Sequence, residues 1–323
     1  MKTAPEAPQT LAEAIRHFAD PDVALAFMVK LRWPAGVACP HCGDMAVSFL
    51  KTRRIWKCKG CHQQFSVKVG TIFEESALGL DKWIPAVWLL ANCKNGISSY
   101  EVARALHVTQ KTAWFMMHRI RFAMQTKRIR KFSGAVEVDE TFVGGKAKFM
   151  HKADRKRRIH GTGGMDKTAV MGIVERKRGA KLSQVSATVL PNLSQTRIQA
   201  EIQEAVARGS SLYTDTAWSY GKKRQFRAAF KHAMVNHARE YVRGKVHTNT
   251  VENFWSLLKR AIKGTYVSVD PFHLIRYVDE QAFRFNQRGG TDGSRFADVV
   301  KGITGKRLTY ADLTGAKFDF ATT

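Results

Sequence analysis

The sequence predicts an α/β fold, with a cysteine-containing ribbon and a helical region ahead of a domain of strands and helices. Three observations support this prediction. Two C-x2-C pairs lie between residues 39 and 61, and helical periodicity dominates residues 80–130. After residue 131, the hydrophobic patterns are those of three strands, a helix and a further strand.

The composition is that of a globular and strongly basic protein. Hydrophobic residues make up 44% of the 323 residues, which allows a sizeable core and two or more domains. Lys and Arg total 53 against 27 Asp and Glu, a formal net charge of +26, which favours a polyanionic partner such as nucleic acid. Dense basic runs occur at 127–131 and 155–158. Because no apolar run approaches membrane-spanning length and residues 1–10 lack a signal-peptide pattern, we expect a cytoplasmic protein without a membrane partner.

Four cysteines have the spacing of a structural zinc site. Cys39, Cys42, Cys58 and Cys61 form the pattern C-x2-C-x15-C-x2-C, and the segments 46–50 and 54–57 between the pairs are predicted short strands. Four thiolates on two tight turns can surround one ion tetrahedrally. The alternative is two disulfides, which a cytoplasmic location argues against.

Helices are predicted on both sides of this ribbon. Two short helices occupy residues 10–32, and a strongly apolar helix occupies 81–95. Ser98 and Glu101 form a capping box for a further helix that ends at Leu106, and a second helix runs from residue 110 to about 124. This pair predicts a DNA-binding helix-turn-helix, with a plain helical hairpin as the alternative. Its second helix would present these residues outward: Gln110, Lys111, Thr112, His118 and Arg119.

Two aspartates lie on predicted strands of the next domain. Asp139 lies in the strand 135–143, which ends at a Gly-Gly turn, and Asp215 ends the short strand 211–215. A carboxylate within a buried strand is costly without a partner, and a divalent metal is one such partner. Neighbouring strands could bring both aspartates to one ion. The alternatives are an exposed Asp139 on a half-buried strand, or the use of Glu137 or Glu140 instead.

A helix at 247–264 carries a third carboxylate. Its apolar residues share one broad face, and Glu252, Lys259 and Lys263 lie in a stripe on the opposite face together with Ser256. A carboxylate ahead of two lysines could ligate a metal while the lysines hold phosphates. The alternative, equally compatible with periodicity, is that Asn249 and Glu252 only form a capping box.

Taken together, these motifs resemble a DDE-type transposase of a bacterial insertion sequence, in particular the ISXO-like family with a zinc ribbon ahead of the catalytic domain. The matching stretches run in family order over nearly the whole chain: 33–34 with 39–43, 136–145, 247–255 and 284–288. The resemblance implies an RNase H-like fold, a mixed sheet flanked by helices. It also implies a metal-binding triad of Asp139, Asp215 and Glu252, with Lys259 as a contact to the element's end.

The same resemblance implies a reaction and its partners. Three carboxylates would hold two Mg²⁺ or Mn²⁺ ions for in-line phosphoryl transfer on double-stranded DNA, at both the element ends and the target. The protein would act as a homo-oligomer on DNA and associate with the nucleoid. The expected domains are, in chain order, N-terminal helices in 1–36, a zinc ribbon in 37–72, the helix-turn-helix in 80–130, the RNase H-like domain in 131–288 and a C-terminal tail in 289–323.

Three other functions remain compatible with parts of the sequence. A DNA-binding regulator would use the ribbon, the helix pair and the charge, but would leave the C-terminal two-thirds unexplained. A nuclease with the same scaffold would cut DNA without joining it. A tyrosine recombinase could use Tyr213 or Tyr266 as its nucleophile, but the accompanying Arg and His residues are not evident.

Overall fold

A computed structural model describes residues 8–125, 130–145, 151, 153, 167–215, 228–234 and 246–315. The chain divides into two compact units, which are described separately: unit 1 is 1–125 with 290–323, and unit 2 is 126–289. The basic run 155–158 and most of the basic run 127–131 lie outside the described residues. Within the described part of the chain, no helix has the length and apolarity needed to cross a membrane.

Unit 1 begins with two short helices and a three-stranded ribbon. Helix α1 (Leu11–Phe18) is capped by Thr10, and α2 (Pro21–Arg32) is capped by Asp20 with proline in its first turn. Strands β1 (Val47–Leu50), β2 (Ile55–Cys58) and β3 (Gln64–Phe65) pair antiparallel. Because Trp56 stacks on Phe65 with ring centroids 5.9 Å apart, the small ribbon has an aromatic centre in addition to its cysteines.

Helices α3 (Leu80–Asn92), α4 (Ser99–Leu106) and α5 (Gln110–Met124) follow. Both hydrogen bonds of the predicted capping box between Ser98 and Glu101 are present. His107 ends α4 in the left-handed conformation, which turns the chain sharply into α5. The two helices therefore exist where the sequence predicts them.

The prediction that His118 and Arg119 face outward is wrong. His118 is fully buried and Arg119 is 3% exposed. The Arg119 guanidinium donates to the backbone carbonyls of Ile72, Glu74 and Leu308. A buried cation needs such acceptors, and a helix surrounded by packed chain supplies them in place of solvent.

Unit 2 is built on a sheet of five described strands. They are β4 (Ala135–Val143), β5 (Thr168–Glu175), β6 (Gln184–Leu190), β7 (Ser211–Thr214) and β8 (Lys231–Met234), with helix α6 (Gln195–Ala205) between β6 and β7. The spatial order is β6-β5-β4-β7-β8: the first three strands pair antiparallel, and β7 and β8 are parallel to β4. Strand β8 was not expected, because its four residues, Lys-His-Ala-Met, lack an alternating apolar pattern.

Helices cover both faces of this sheet. Val136, Val138 and Leu212 pack in one core with α6, through Ile198 and Ile202. The opposite core contains Val170 and Val174 and the apolar face of α7 (Asn249–Arg260), together with residues of α8 (Leu274–Asn286). Since side chains alternate along a strand, the residues of β4 between its buried valines face α7. These residues include Glu137 and Asp139.

Helix α7 does not end in a normal cap. It continues into a π-helix over Ala261–Tyr266, and a short 3₁₀ turn (Pro271–His273) then leads into α8. The hydroxyl of Tyr266 donates to the buried carboxylate of Glu280, which also forms an ion pair with Arg284. A satisfied buried network of this kind fixes the end of the π-helix against α8.

The chain then returns to unit 1 through α9 (Asp292–Lys301) and α10 (Tyr310–Thr314). The expected C-terminal tail is therefore not separate from the N-terminal region. Phe296 of α9 packs against Phe18, Phe27 and Trp88.

Candidate active site and metal centre

The four predicted zinc ligands converge at the ribbon. The Sγ atoms of Cys39, Cys42, Cys58 and Cys61 all lie within 4.8 Å of one another. The Cys39–Cys61 and Cys42–Cys58 pairs are 3.6 and 3.5 Å apart. A zinc ion with four Zn–S bonds of about 2.3 Å requires sulfur separations of about 3.8 Å, whereas a disulfide requires about 2.05 Å. The cluster therefore fits structural zinc, and the cysteines are not paired as disulfides.

The pKa values of these thiols show that the four sulfurs influence one another. The pKa of Cys39 falls to about 7: burial raises it, but backbone N–H groups of His41 and Cys42 stabilise the thiolate more strongly. The pKa of Cys42 rises to about 12, because the backbone of Asp44 lowers it by less than the sulfurs of Cys61 and Cys58 raise it. Without a bound cation, the four sulfurs cannot all be thiolates at neutral pH.

Strand register places the two aspartates side by side. In the parallel pairing of β4 with β7, Glu137 lies opposite Tyr213 and Val138 lies opposite Thr214. Asp139 is the next residue on β4, and Asp215 is the residue that directly follows β7, so the register carries both just beyond the Val138–Thr214 pair. The two aspartates are 76 positions apart in the sequence, and the pairing of β4 with β7 makes them neighbours.

Asp139 is held by a tryptophan of α7. The indole Nε1 of Trp255 donates to Asp139 Oδ2 at 2.9 Å. The residue opposite Asp139 on β5 is Gly172, where a Cβ would lie 2.7 Å from the Trp255 ring. Glycine is therefore required at this strand position for the indole to reach the carboxylate.

The charges of the other two carboxylates also affect the pKa of Asp139. Burial raises its pKa to about 6 and outweighs the lowering by the Trp255 hydrogen bond, and the charges of Asp215 and Glu252 raise the pKa further. The three predicted residues therefore share one electrostatic environment. Their oxygens are less tightly grouped than the cysteine sulfurs, since the latter form the sole group within 4.8 Å among the described residues.

Glu252 lies in the first turn of α7, but the predicted capping box with Asn249 is absent. The residue that precedes the helix is Thr248, whose Oγ1 donates to Glu252 Oε1 at 2.9 Å. Glu252 itself is exposed, so its carboxylate is not consumed by the helix terminus. A capping box between Asn249 and Glu252 is therefore not formed, because the helix begins at Asn249 and Thr248 is the flanking residue.

The cap is supplied instead by Glu137 of β4. Its Oε2 accepts hydrogen bonds from the backbone N–H groups of Thr250 and Val251 at 2.8 and 2.9 Å. Its Oε1 accepts from the Thr250 hydroxyl at 2.8 Å and from Arg176 Nε at 2.6 Å. This fully buried carboxylate thus ties the start of α7 to the strand that carries Asp139. We call these contacts the Glu137 clamp.

Sequence reasoning missed the partners of the carboxylates. Glu137 was considered as a substitute metal ligand, and Trp255 was assigned to the apolar face of its helix. The only available signal for Glu137 was that it lies two residues before Asp139 on β4, because residues two apart on a strand extend from the same face of the sheet. The roles of Arg176 and Gly172 depend on contacts between distant segments, which one sequence does not reveal.

The predicted DNA-contact residues lie in two places. Lys259 and Lys263 line one pocket in unit 2. In unit 1, Lys111 is exposed at the start of α5, and Gln110 and Thr112 are partly exposed. The side-chain amide of Gln110 donates to Ser99 at 2.8 Å, and the Thr112 hydroxyl contacts that of Thr109 at 2.8 Å. Arg119 is removed from this set by its burial.

Two family models match separate parts of the chain. Residues 131–286 match the model of the ISXO2-like transposase domain, and residues 20–64 match that of a transposase zinc-ribbon domain. The first match contains all three carboxylates, and the second contains all four cysteines.

Two curated relatives are similar at the sequence level. An uncharacterized protein in transposable element ISH50 of Halobacterium salinarum is 29% identical over 257 residues, 76% of this chain and 84% of the relative. An uncharacterized transposase-like protein of Haemophilus influenzae is 29% identical over 103 residues, 32% of this chain and 81% of the relative.

Among solved structures, a similar chain occurs in the cryo-EM structure of the simian T-cell lymphotropic virus intasome in complex with PP2A regulatory subunit B56 gamma. The identity is 12% and the TM-score 0.27, over 58% of this chain and 65% of that chain, which is less than two thirds of its length. At that TM-score the likeness supports no conclusion.

Proposed function

We propose that this chain is a transposase of the ISXO2-like type, since residues 131–286 match the ISXO2-like transposase domain and residues 20–64 match a transposase zinc-ribbon domain. In this proposal it cleaves DNA at the 3′ ends of an insertion sequence and joins those ends to target DNA. The observation that carries this proposal is the parallel register of β4 and β7, which sets Asp139 beside Asp215 in a field that also contains Glu252. Grouped carboxylates on a basic protein suit a metal-dependent reaction of a polyanion.

The strand order supports an RNase H-like fold for unit 2. Three antiparallel strands followed by two parallel strands on one edge, with helices on both faces, agree with the mixed sheet that the family resemblance implies. The carboxylates lie on the central strand β4, directly after the neighbouring strand β7, and on the covering helix α7.

We assign the divalent-metal site to Asp139, Asp215 and Glu252. Oxygen ligands of this type suit Mg²⁺ or Mn²⁺, and the chemistry that two such ions supply when bound is stabilisation of the attacking and leaving oxygens. Trp255 orients the Asp139 carboxylate, Thr248 orients that of Glu252, and the Glu137 clamp fixes the helix on which Glu252 lies. Lys259 and Lys263 follow Glu252 along the same helical stripe and bind DNA phosphates.

In the first step, water attacks the phosphodiester at the element's end, so one P–O bond forms as the P–O3′ bond breaks, leaving a 3′-hydroxyl and a 5′-phosphate. That hydroxyl then attacks a target phosphodiester, so one P–O bond forms as another breaks and no protein intermediate is needed. Helices α4 and α5 act as a helix-turn-helix through Gln110, Lys111 and Thr112. The assembly on DNA is a homo-oligomer, and the protein is cytoplasmic and nucleoid-associated.

The test is strand transfer by purified protein with Mg²⁺ and a labelled duplex that carries the DNA flanking the gene. We expect label to join a target plasmid, and we expect Asp139→Asn to abolish joining while DNA binding stays within about twofold, because one missing carboxylate removes a metal ligand and no phosphate contact. Asp298→Asn is the matched control, since this carboxylate forms a surface ion pair with Lys301. Joining by Asp139→Asn would refute the site. Cleavage without joining would instead indicate the nuclease, and binding alone would indicate the regulator.

A further inference from the structure

A basic pocket lies where β4 ends, beside the continuation of α7. Its volume is about 290 Å³. Three lysines line it: Lys167, Lys259 and Lys263. Among the described lining residues there is no aspartate or glutamate, so the pocket favours an anion. The remaining lining is apolar or small, including Phe142, Ile262 and Val267.

Val267 at the rim of this pocket has an unusual backbone. Its φ is +61° and its ψ is −57°, and the N–H of Ser268 donates to the carbonyl of Tyr266 at 2.6 Å. This is a γ-turn of the rare, strained form, and a β-branched residue is among the least suited to it. The strained residue is also 77% exposed, so no core packing explains the valine.

The surrounding structure holds this turn in place. The preceding π-helix ends at Tyr266, whose hydroxyl is bound by the buried Glu280–Arg284 pair. Strained backbone persists where its neighbours over-determine it, and such strain is concentrated at functional sites. An exposed apolar side chain on a rigid, strained turn beside a basic pocket is suited to insertion into an apolar part of an anionic ligand.

We propose that this pocket holds one unstacked nucleotide of the bound DNA, with Val267 as the wedge that separates it from its neighbour. The proposal rests on the proposed function, because it places the DNA end along the stripe from Glu252 to Lys259 and Lys263. Lys259 lies seven residues beyond Glu252, about 10 Å along the helix axis. This distance corresponds to about three nucleotides of stacked DNA at 3.4 Å each.

Two physical arguments favour a nucleotide over other anions. A pocket of about 290 Å³ is at the lower end of the volumes that hold small ligands, about 300–1,000 Å³. It can take one nucleotide but not a duplex. Apolar side chains that intercalate between base steps are the usual device for unstacking DNA, and lysines hold the displaced phosphate.

The first experiment measures unstacking directly and does not require catalysis. Duplexes of the flanking DNA carry 2-aminopurine at one position at a time near the end, and fluorescence is recorded on binding of the full chain in Ca²⁺. We expect one position to brighten several-fold with the wild-type protein, since an unstacked base loses quenching. No bright position in a duplex that is fully bound would overturn the proposal, whether or not strand transfer occurs.

The second experiment separates the wedge from the fold. Val267→Gly removes the side chain at a position where glycine adopts the backbone without strain, so the melting temperature should be unchanged or higher. We expect the fluorescence signal to disappear and transfer of a matched end to fall about tenfold. A mismatch at the bright position should restore transfer, because an unpaired base needs no wedge.

Two further variants complete the test. Val267→Ala shortens the wedge but keeps the strain, and we expect it to lose most of the signal as well. Ile15→Ala removes an exposed apolar side chain in unit 1 and should change neither signal nor transfer. A preserved signal in Val267→Gly, or lost transfer that the mismatch does not restore, would overturn the wedge. Absence of transfer by the wild-type protein would overturn only the proposed function.

Discussion

Asp139 has three structural features that bear on its ionisation. It lies on the central strand of the sheet, accepts a hydrogen bond from Trp255 and is close enough to Asp215 and Glu252 for their charges to raise its pKa. Burial is the largest cause of that rise. A carboxylate in this setting destabilises the metal-free fold when it is ionised, and a cation would remove the penalty.

Asp139→Asn should therefore stabilise metal-free unit 2 at neutral pH. The folded pKa of about 6 exceeds the ordinary value of 3.8. Because the unfolded carboxyl ionises first, the penalty is absent well below pH 3.8, grows as the pH rises from 3.8 to about 6 and is complete at pH 7.5. Two pKa units correspond to about 3 kcal/mol, so we expect a gain in unfolding free energy of about 2–3 kcal/mol at pH 7.5.

Urea unfolding in EDTA at pH 7.5 and pH 4 checks this expectation. The difference between variant and wild type should fall to about 0.5 kcal/mol at pH 4, where the unfolded carboxyl is only partly ionised. Addition of Mg²⁺ at pH 7.5 should stabilise the wild type more than the variant, because the ion binds the folded carboxylates. Equal stability of the two proteins at both pH values would contradict the pKa assignment.

Individual residues were predictable to the extent that they carry their own chemistry. Cysteine spacing identified the four sulfur ligands, and strand-borne acidic residues pointed to Asp139 and Asp215. Arg119 could not be placed correctly, because periodicity reports the average polarity of a face. It does not reveal that carbonyls from distant segments satisfy a buried guanidinium.

Helix α7 depends on strand β4 for its first turn. Thr248 makes no side-chain cap to the backbone, and the Glu137 clamp provides the acceptors for Thr250 and Val251. Burial of this carboxylate is tolerated because the helix N-terminus and Arg176 both favour its negative charge. The clamp therefore couples the strand that carries Asp139 to the helix that carries Glu252.

Glu137→Gln should loosen this coupling. Loss of the charge leaves Arg176 without its buried partner, and we expect unit 2 to lose about 3–5 kcal/mol of unfolding free energy. Hydrogen exchange at the amides of Thr250 and Val251 should accelerate, and strand transfer should fall although the three proposed metal ligands are intact. Glu137 is a positioning residue in this account, not a catalytic one.

Glu175→Gln is the matched control for the clamp. Glu175 also accepts from an arginine, but Arg130 is 55% exposed, so the change should cost no more than about 1 kcal/mol. Similar losses in both variants, or unchanged exchange at Thr250 and Val251 in Glu137→Gln, would show that the clamp does not hold α7.

Elements with strong local signals were predictable, and elements defined by their partners were not. The capping box and the limits of α5 follow from the sequence because their determinants lie within a few residues. Strand β8 exists through its pairing with β7, and the cap of α7 comes from a strand over one hundred positions earlier. Such pairings become visible only when the sheet is assembled.

At the scale of the whole molecule, the two units have different means of stabilisation. Unit 2 has helices packed on both faces of a sheet. The ribbon of unit 1 is small, and its tetrahedral cysteines indicate that a metal replaces part of the missing core. Trp33 and Trp56 lie in contact beside it, with ring centroids 5.7 Å apart.

Removal of zinc should therefore affect the units unequally. We expect one zinc per chain by metal analysis, and its loss on chelation or in Cys58→Ser. The tryptophan emission of unit 1 should shift to the red as Trp33 and Trp56 become hydrated, while the unfolding transition of unit 2 is retained. A chain with no zinc and a native emission spectrum would contradict the structural role of the metal.

Unit 1 is assembled from both ends of the sequence, with Phe296 of α9 placed against Phe18, Phe27 and Trp88. Unit 2, in contrast, is one uninterrupted segment. During synthesis on the ribosome, unit 2 emerges from the exit tunnel ahead of α9, so the segment that carries the carboxylates can begin to fold first. The zinc-binding half of the protein completes its core only afterwards.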